Sequence, residues 1–306
     1  MRLGVLRNPT STGNSGRRPA PLPDGAVRVE TATAAEVPAA LARLREAGAE
    51  AVVIDGGDGT VRAAATAAEA AFGPEVPPFA ILAHGNTNLI ARKLGAVRKG
   101  AGLARLGAMT PAEARARVRA APSLRLVFDD GRTELGFVGG WGAYAVGRRI
   151  GAEEIAARHG AQVAGAVLAT ARRSLFGAES ARLRAGVACR VSIDDSPPRE
   201  GPCFAGAITT LPGRLLGPLD PFWGGGAGPI RWTEVAAPPR RLALAIPFAL
   251  VGRPLGWMTE AGYRSGRASR LGLRVAGELV LDGEVVAGPQ GAEVEVTTAT
   301  LPVIAA

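Results

Sequence analysis

Val52-Val53-Ile54-Asp55-Gly56-Gly57-Asp58-Gly59-Thr60 is the stretch that decides how this chain is read. The apolar run Ala51–Ile54 is continuous rather than alternating, as expected of a strand buried on both faces of a parallel sheet. Three glycines within four positions follow, and then an alanine-rich segment to about Ala71 that reads as a helix. Without side chains, Gly56, Gly57 and Gly59 let a phosphate approach backbone N–H groups, and a helix N-terminus adds partial positive charge. Asp58 cannot itself hold a phosphate. It makes sense as an Mg²⁺ ligand, directly or through water, or as a group near an attacking hydroxyl. Thr60 offers a hydroxyl hydrogen bond. A plain strand-to-helix turn could use Asp58 as a helix N-cap instead. The five-residue pattern is more restrictive than such a turn requires, so the phosphate reading is preferred.

The surroundings continue the alternation of strand and helix. Leu3–Leu6 reads as a strand entering the turn Asn8-Pro9-Thr10, and Val27–Val29 as a second short strand. A helix is expected over Ala34–Ala47, with Thr33 and Glu36 spaced as a capping box and Gly48 as its stop. Phe79–Leu82 is another buried strand, leading into His84-Gly85-Asn86-Thr87-Asn88 and a helix through Leu94. Thr110-Pro111-Ala112-Glu113 opens one more helix with a cap, a first-turn proline and an acid at the third position. This order predicts an α/β domain over residues 1–120.

From Leu124 the periodicity changes. Leu124–Phe128 and Thr133–Val138 flank an Asp130-Gly131 turn as a hairpin would. A helix is expected around Glu153–Ser174. Alternating segments then follow at Gly186–Ile193, Phe204–Thr209, Leu271–Val275, Glu278–Leu281 and Glu293–Thr297. Residues 121–306 therefore read as a β-rich domain of antiparallel strands, whose last residues could pack back on the first domain.

Composition narrows the partners. With 306 residues, two domains are the natural expectation. A net charge of +9 and a pI near 10.9 point to an anionic partner: nucleic acid, an anionic membrane surface or a phosphorylated small molecule. The 36 Lys and Arg are scattered and aromatics make up only 5%, which leaves few stacking platforms and argues against nucleic acid. Two cysteines, Cys189 and Cys203, are too few for a disulfide framework or a zinc site, and two unrelated buried thiols are expected. The apolar start Leu3–Leu6 is too short for a signal peptide, and the run Leu242–Val251 is too short for a bilayer span. A cytoplasmic protein is expected, at most peripheral on the inner face of the membrane.

No Gly-x-x-x-x-Gly-Lys-Ser/Thr occurs, and no Gly-x-Gly-x-x-Gly follows an early strand. Gly56-Gly57-Asp58-Gly59-Thr60 instead resembles the signature shared by diacylglycerol, sphingosine and ceramide kinases, NAD kinases and phosphofructokinases. Asn8-Pro9-Thr10-Ser11 resembles the Asn-Pro-x-Ser opening of the lipid kinases, Gly85-Asn86-Thr87-Asn88 their third segment, and Asp282-Gly283-Glu284 their closing Asp-Gly-Glu. NAD kinases carry an Asn-Glu pair that this sequence lacks throughout. The chain is thus similar to the diacylglycerol kinase catalytic-domain family, its four segments in order along nearly the whole length.

That resemblance implies an NAD kinase/diacylglycerol kinase-like α/β domain followed by the β-rich one. It implies ATP and Mg²⁺ as cofactors and a lipid acceptor at the membrane surface, either diacylglycerol or a ceramide or sphingoid base. Asn8, Ser11, Gly56, Gly57, Gly59, Thr60, Gly85 and Asn88 would line the ATP cleft. Asn86, replacing the family's Thr, could still hydrogen-bond a phosphate. Asp58 would organise Mg²⁺, and Glu284, with Asp282, would act as base toward the lipid hydroxyl. Taken alone, Asp282-Gly283 would be a hairpin turn. The chain also departs from the family at Ala83, Leu89 and Arg62-Ala63-Ala64, and only Asp220 is acidic in the loop Leu219–Gly226 where relatives hold a structural metal. A binding protein without chemistry and a kinase of a soluble acceptor such as NAD remain as alternatives.

Weaker features have plainer explanations. Phe137–Ala143 could line an acyl pocket, but close packing is favoured. Arg240, Arg241 and the apolar run to Val251 could dock on a bilayer, but a buried helix is favoured. Arg17 and Arg18 read as a solvated loop, and neither His84 nor His159 has sequence neighbours that suggest metal binding or nucleophilic catalysis.

Overall fold

The computed structural model describes residues 1–97, 101–149, 162–176, 179–215, 217–288 and 290–305. Its backbone divides into two units, Met1–Ser123 with Ala299–Ala306, and Leu124–Thr298.

The first unit is built on parallel strands β1 (Leu3–Arg7), β2 (Val27–Glu30), β3 (Ala51–Gly56) and β4 (Phe79–Ala83). β1 lies between β2 and β3, β3 pairs with β4, and Val303 near the chain end adds a parallel partner beside Phe79. Every residue of β1 and β3 is buried, as the continuous apolar runs require. One face is filled by Leu3, Val5, Val53 and Leu82 against Leu103 and Leu106. Removing each such side chain from water contributes about 1.5–3 kcal/mol.

Helix α1 (Val37–Glu46) packs on α2 (Asp58–Phe72). The expected start of α1 is divided: Ala34–Glu36 forms a 3₁₀ turn and the α-helix begins at Val37, because Pro38 fits only its first turn. Glu36 still reaches back to the Ala32 N–H, at 2.8 Å, but Thr33 donates to Glu36 instead of capping a backbone N–H. Helix α3 (Leu89–Leu94) is followed by α4 (Ala101–Ala108), which the sequence reading missed, and α5 (Pro111–Ala116). The capping box of α5 forms as expected, with Thr110 and Glu113 serving each other's backbone.

The second unit is a chain of antiparallel pairings. β5 (Val118–Phe128) meets β6 (Thr133–Gly136) in the expected hairpin. The strand expected to run to Val138 breaks at Phe137, and β7 (Val138–Gly142) begins anew. Of the expected helix Glu153–Ser174, residues 153–161 lie outside the described residues, as does His159; α6 covers Gln162–Leu175. After α7 (Ser180–Ala185) come β8 (Val187–Ile193), β9 (Arg199–Thr209) and β10 (Ile230–Ala236), and then helix α8 (Leu242–Leu250). β11 (Tyr263–Ala268), β12 (Leu271–Val275), β13 (Leu279–Leu281), β14 (Glu284–Ala287) and β15 (Ala292–Ile304) complete the chain. β9 pairs with β7, β8 and β10, while β12 bridges β8 and β15. The core of this unit gathers Leu126, Trp141, Val191, Ile208, Leu273 and Val296. No described helix is long and apolar enough to cross a membrane.

Two expectations change here. Cys189 and Cys203 are buried and free, as expected, but they are not unrelated: contact with the Cys189 thiol, then burial, pushes the Cys203 thiol up. The glycines near Phe137–Ala143 are closed by neighbours, as the packing reading favoured; a Cβ on Gly206 would lie 2.0 Å from the Trp141 ring.

Candidate functional site

In the first unit the chain turns away from β1 toward β2 on one side and away from β3 toward β4 on the other. The carboxyl ends of β1 and β3 therefore form a topological switch point, the usual ligand position in such sheets. Three loops meet there: residues 8–16 after β1, 56–60 after β3 and 84–88 after β4. His84 N donates to Gly56 O at 2.9 Å, and Gly13 N donates to His84 O at 2.7 Å. The loops touch backbone to backbone. A Cβ on Gly85 would stand 2.7 Å from Gly57 Cα, a distance that real Cβ atoms do not tolerate.

The residues singled out in this unit are brought together. Asn8 accepts from Thr10 N through Oδ1 at 2.9 Å and donates through Nδ2 to Thr60 Oγ1 at 3.2 Å, tying the first turn to α2. Ser11 Oγ donates to Asn8 O at 3.0 Å. Asn88, at φ 48°, closes its own loop by accepting from Gly85 N and donating to Gly85 O, both at 2.7 Å. Asn86 is exposed on the same loop.

Asp58 is the first residue of α2, with Gly57 as the cap, so it is not that helix's N-cap. Its Oδ2 accepts from Leu89 N at 2.9 Å, at the start of α3. Its Oδ1 is buried with no hydrogen-bond partner, the one such carboxylate oxygen among the described residues. Burial pushes the Asp58 carboxyl above its ordinary value of 3.8, against the opposing pull of the Leu89, Ala91 and Ile90 N–H groups and the Arg92 charge. A buried anionic oxygen without a donor is costly unless something binds it. The chemistry of that atom suits a hard cation such as Mg²⁺, which takes one or two protein carboxylates and completes its shell with water and phosphate oxygens. No cluster of three His, Cys, Asp or Glu occurs among the described residues, so a cage made wholly of protein ligands is not offered there.

Beneath the loops lies a network that the sequence reading missed. Asp55 Oδ1 takes His84 Nδ1 at 2.6 Å and Asn14 Nδ2 at 2.8 Å, and its Oδ2 lies 3.6 Å from Arg7 Nε. Arg7, 5% exposed, also reaches Glu30 at 2.8 Å. The available signal was Asp55 itself: an acid ending a wholly apolar strand must find partners when buried. Arg92, whose charge reaches Asp58, was missed as well; only its position on the helix behind Asn88 hinted at it.

The closing motif belongs to the second unit. Asp282, at φ 48°, accepts from Val138 N at 2.8 Å and from Phe137 N at 3.0 Å, which is why the expected strand breaks at Phe137. Burial, and secondly the Asp282 charge, raise the Tyr144 phenol. Arg148 Nε donates to Gly283 O, fastening the turn. Glu284 is exposed at the start of β14. Asp220, in the acid-poor loop, is taken up by Arg231 Nη1 at 3.0 and 3.1 Å.

Comparison with known proteins bears on the fold. Residues 2–114 match the family described as the diacylglycerol kinase catalytic domain. No curated protein matches the chain in sequence. A solved structure of a diacylglycerol kinase from Bacillus anthracis str. Sterne is similar over 100% of this chain and 97% of that one, with 12% identity and a TM-score of 0.60. Two structures from the same organism, assigned provisionally as a diacylglycerol kinase, cover the same shares at 14% identity and TM-score 0.64, and at 13% and 0.66. At these identities the likeness carries the fold, an α/β domain followed by a β-rich one. The family likeness thus rests on residues 2–114, which hold the loops after β1, β3 and β4.

Proposed function

We propose that this protein is a kinase that uses ATP and Mg²⁺ to phosphorylate the hydroxyl of a membrane lipid, a diacylglycerol or a ceramide or sphingoid base. The observation that carries the reading is the buried, unpartnered Oδ1 of Asp58 at the mouth of a glycine-rich strand-to-helix turn. Asp58 Oδ1 would hold the metal while Oδ2 stays on Leu89 N. Bound Mg²⁺ supplies neutralisation of the phosphate charge as the γ-phosphoryl group moves. Thr60 N already donates to Gly57 O at 3.0 Å, which leaves the N–H groups of Asp58 and Gly59 in the first turn of α2 for phosphate oxygens. Thr60 accepts from Asn8 and keeps its own hydroxyl proton to give. Because Gly57 and Gly85 approach at backbone distance, the loops can follow a polyphosphate without side chains in the way. Glu284 is assigned the role of base by its place in the Asp-Gly-Glu motif: its carboxylate takes the acceptor's proton as that oxygen attacks the γ-phosphorus and the bond to ADP breaks.

A second reading draws on the same carboxylate. Asp58 Oδ2 closes the start of α3, a structural use that a chain binding nucleotide or lipid without transfer would also retain. Transfer from γ-labelled ATP to separate micelles of diacylglycerol, ceramide and sphingosine decides between them. Labelled lipid that is lost with Glu284→Gln supports the kinase and identifies the acceptor. Nucleotide binding with no labelled lipid favours the binding reading, and label on NAD alone moves the acceptor to a soluble alcohol.

A further inference from the structure

Helix α8 was expected to be buried, and it is so on one side only. It is apolar on every side, yet Leu244 is 49% exposed and Val251, just past its end, 36%. Leu244, Pro247 and Val251 follow the three-and-four spacing of a single helical stripe, whereas Leu242 and Ala245 face the small core with Met258 and Tyr263, and Ile246, Phe248 and Ala249 pack partly against it. Leu244 and Val251 are two of five large apolar side chains exposed among the described residues. A third, Phe176 at 71%, follows Leu175 of α6, which packs on that same small core.

Charge surrounds this stripe. From Arg240 to Thr259 the chain holds Arg240, Arg241 and Arg253 and no acid. Arg240, Arg241 and Arg253 are exposed, and Arg241 lies over the Trp257 ring at 5.4 Å. Arg172 and Arg173 stand near the end of α6, which contacts α8. Among the described residues none of these five pairs with a carboxylate.

We propose that the exposed face of α8 docks on an anionic lipid surface, with Leu244 and Val251 entering the headgroup boundary and the arginines meeting lipid phosphates. An interfacial apolar stripe rimmed by arginine matches such a surface on both counts. A second copy of this face would fit poorly: two-fold pairing would set five arginines against five, with Glu260 the one acid close after α8 in sequence to receive them. The inference deepens the lipid-kinase reading and rests on it only for its purpose, since docking would bring the chain to its acceptor.

The test is sedimentation of the full chain with vesicles of phosphatidylcholine, alone or enriched in phosphatidylserine, without nucleotide. The wild type is expected to pellet with the anionic vesicles. Leu244→Glu with Val251→Glu should lower the partition coefficient at least tenfold. Arg240→Ser with Arg253→Ser should lower it roughly tenfold and flatten its salt dependence. Both pairs are solvent-exposed and should melt like the wild type. Unchanged binding by the glutamate variant would overturn the proposal. So would a wild type that ignores anionic vesicles, or a dimer that the glutamates dissociate. Activity separates this from the kinase reading. Leu244→Glu should retain transfer to a water-soluble short-chain diacylglycerol while losing transfer to vesicles. A chain that pellets but labels no lipid would keep the surface and remove the kinase.

Discussion

Asp58 in the first unit and Asp282 in the second each stand beside a glycine at the end of a strand, and they use their carboxylates differently. Asp282 gives its oxygens to the backbone N–H groups of Phe137 and Val138, and its own N–H bonds Val138 O at 2.7 Å. Asp58 gives one oxygen to Leu89 N and leaves the other buried and unpartnered, with its pKa raised by burial. A carboxylate fully engaged by backbone donors is explained by the fold it holds. One kept half-engaged at an energetic cost calls for a ligand, and this contrast separates two acids that a motif treats alike.

The largest expected effect falls on Asp58. Asp58→Ala should reduce phosphoryl transfer by about a thousandfold or more, roughly 4 kcal/mol of barrier, in steady-state assays. A similar loss with a folded Asp282→Asn would break the contrast, because it would make Asp282 a chemical residue as well. Next comes Asp55, a second fully engaged acid. Asp55→Ala strips a near-buried Arg7 of one partner and releases His84 and Asn14, and should cost about 3 kcal/mol in urea denaturation. Asp282→Ala should cost about 2 kcal/mol by the same measurement, since two backbone donors lose their acceptor. Asp282→Asn should cost less, because asparagine tolerates the left-handed backbone and keeps one acceptor.

Smaller still is the effect of pH on the Asp58→Asn variant. Burial raises the native Asp58 pKa above 3.8, so the native state holds its proton where the unfolded chain has lost it. Stability of the wild type should therefore fall as pH rises from 3.8 through the raised value, and then level off. Asp58→Asn lacks that titration, so at neutral pH it should melt no lower than the wild type, with the difference narrowing in acid. A variant that melts well below the wild type at neutral pH would make Asp58 a structural acid like Asp282.

What the sequence disclosed follows the range of the interactions involved. β1, β3 and β4 were legible because a strand buried on both faces needs only a local apolar run, and the cap of α5 because Thr110, Pro111 and Glu113 are neighbours. The Asp55–His84 pair was not, since its partners lie 29 residues apart. β10 and β11 escaped notice for a related reason. Tyr263–Ala268 is too polar and glycine-containing to signal a strand, and it becomes one because Trp232 packs over Gly266 across the pair. The first half of β9 was hidden by Gly201-Pro202, and the break at Phe137 by a carboxylate 145 residues away. The exposure of α8 could not be read either, because an apolar run looks the same whether a core or a lipid surface covers it.

The central claim, that Asp58 is held half-engaged for phosphoryl transfer, is tested most directly by one paired assay. Wild type and Asp58→Asn would be given γ-labelled ATP, Mg²⁺ and mixed micelles of diacylglycerol, with a melting curve for each protein. The prediction is labelled lipid from the wild type, about a thousandfold less from Asp58→Asn, and a melting temperature for the variant no lower than that of the wild type. Equal transfer by both proteins would contradict the account.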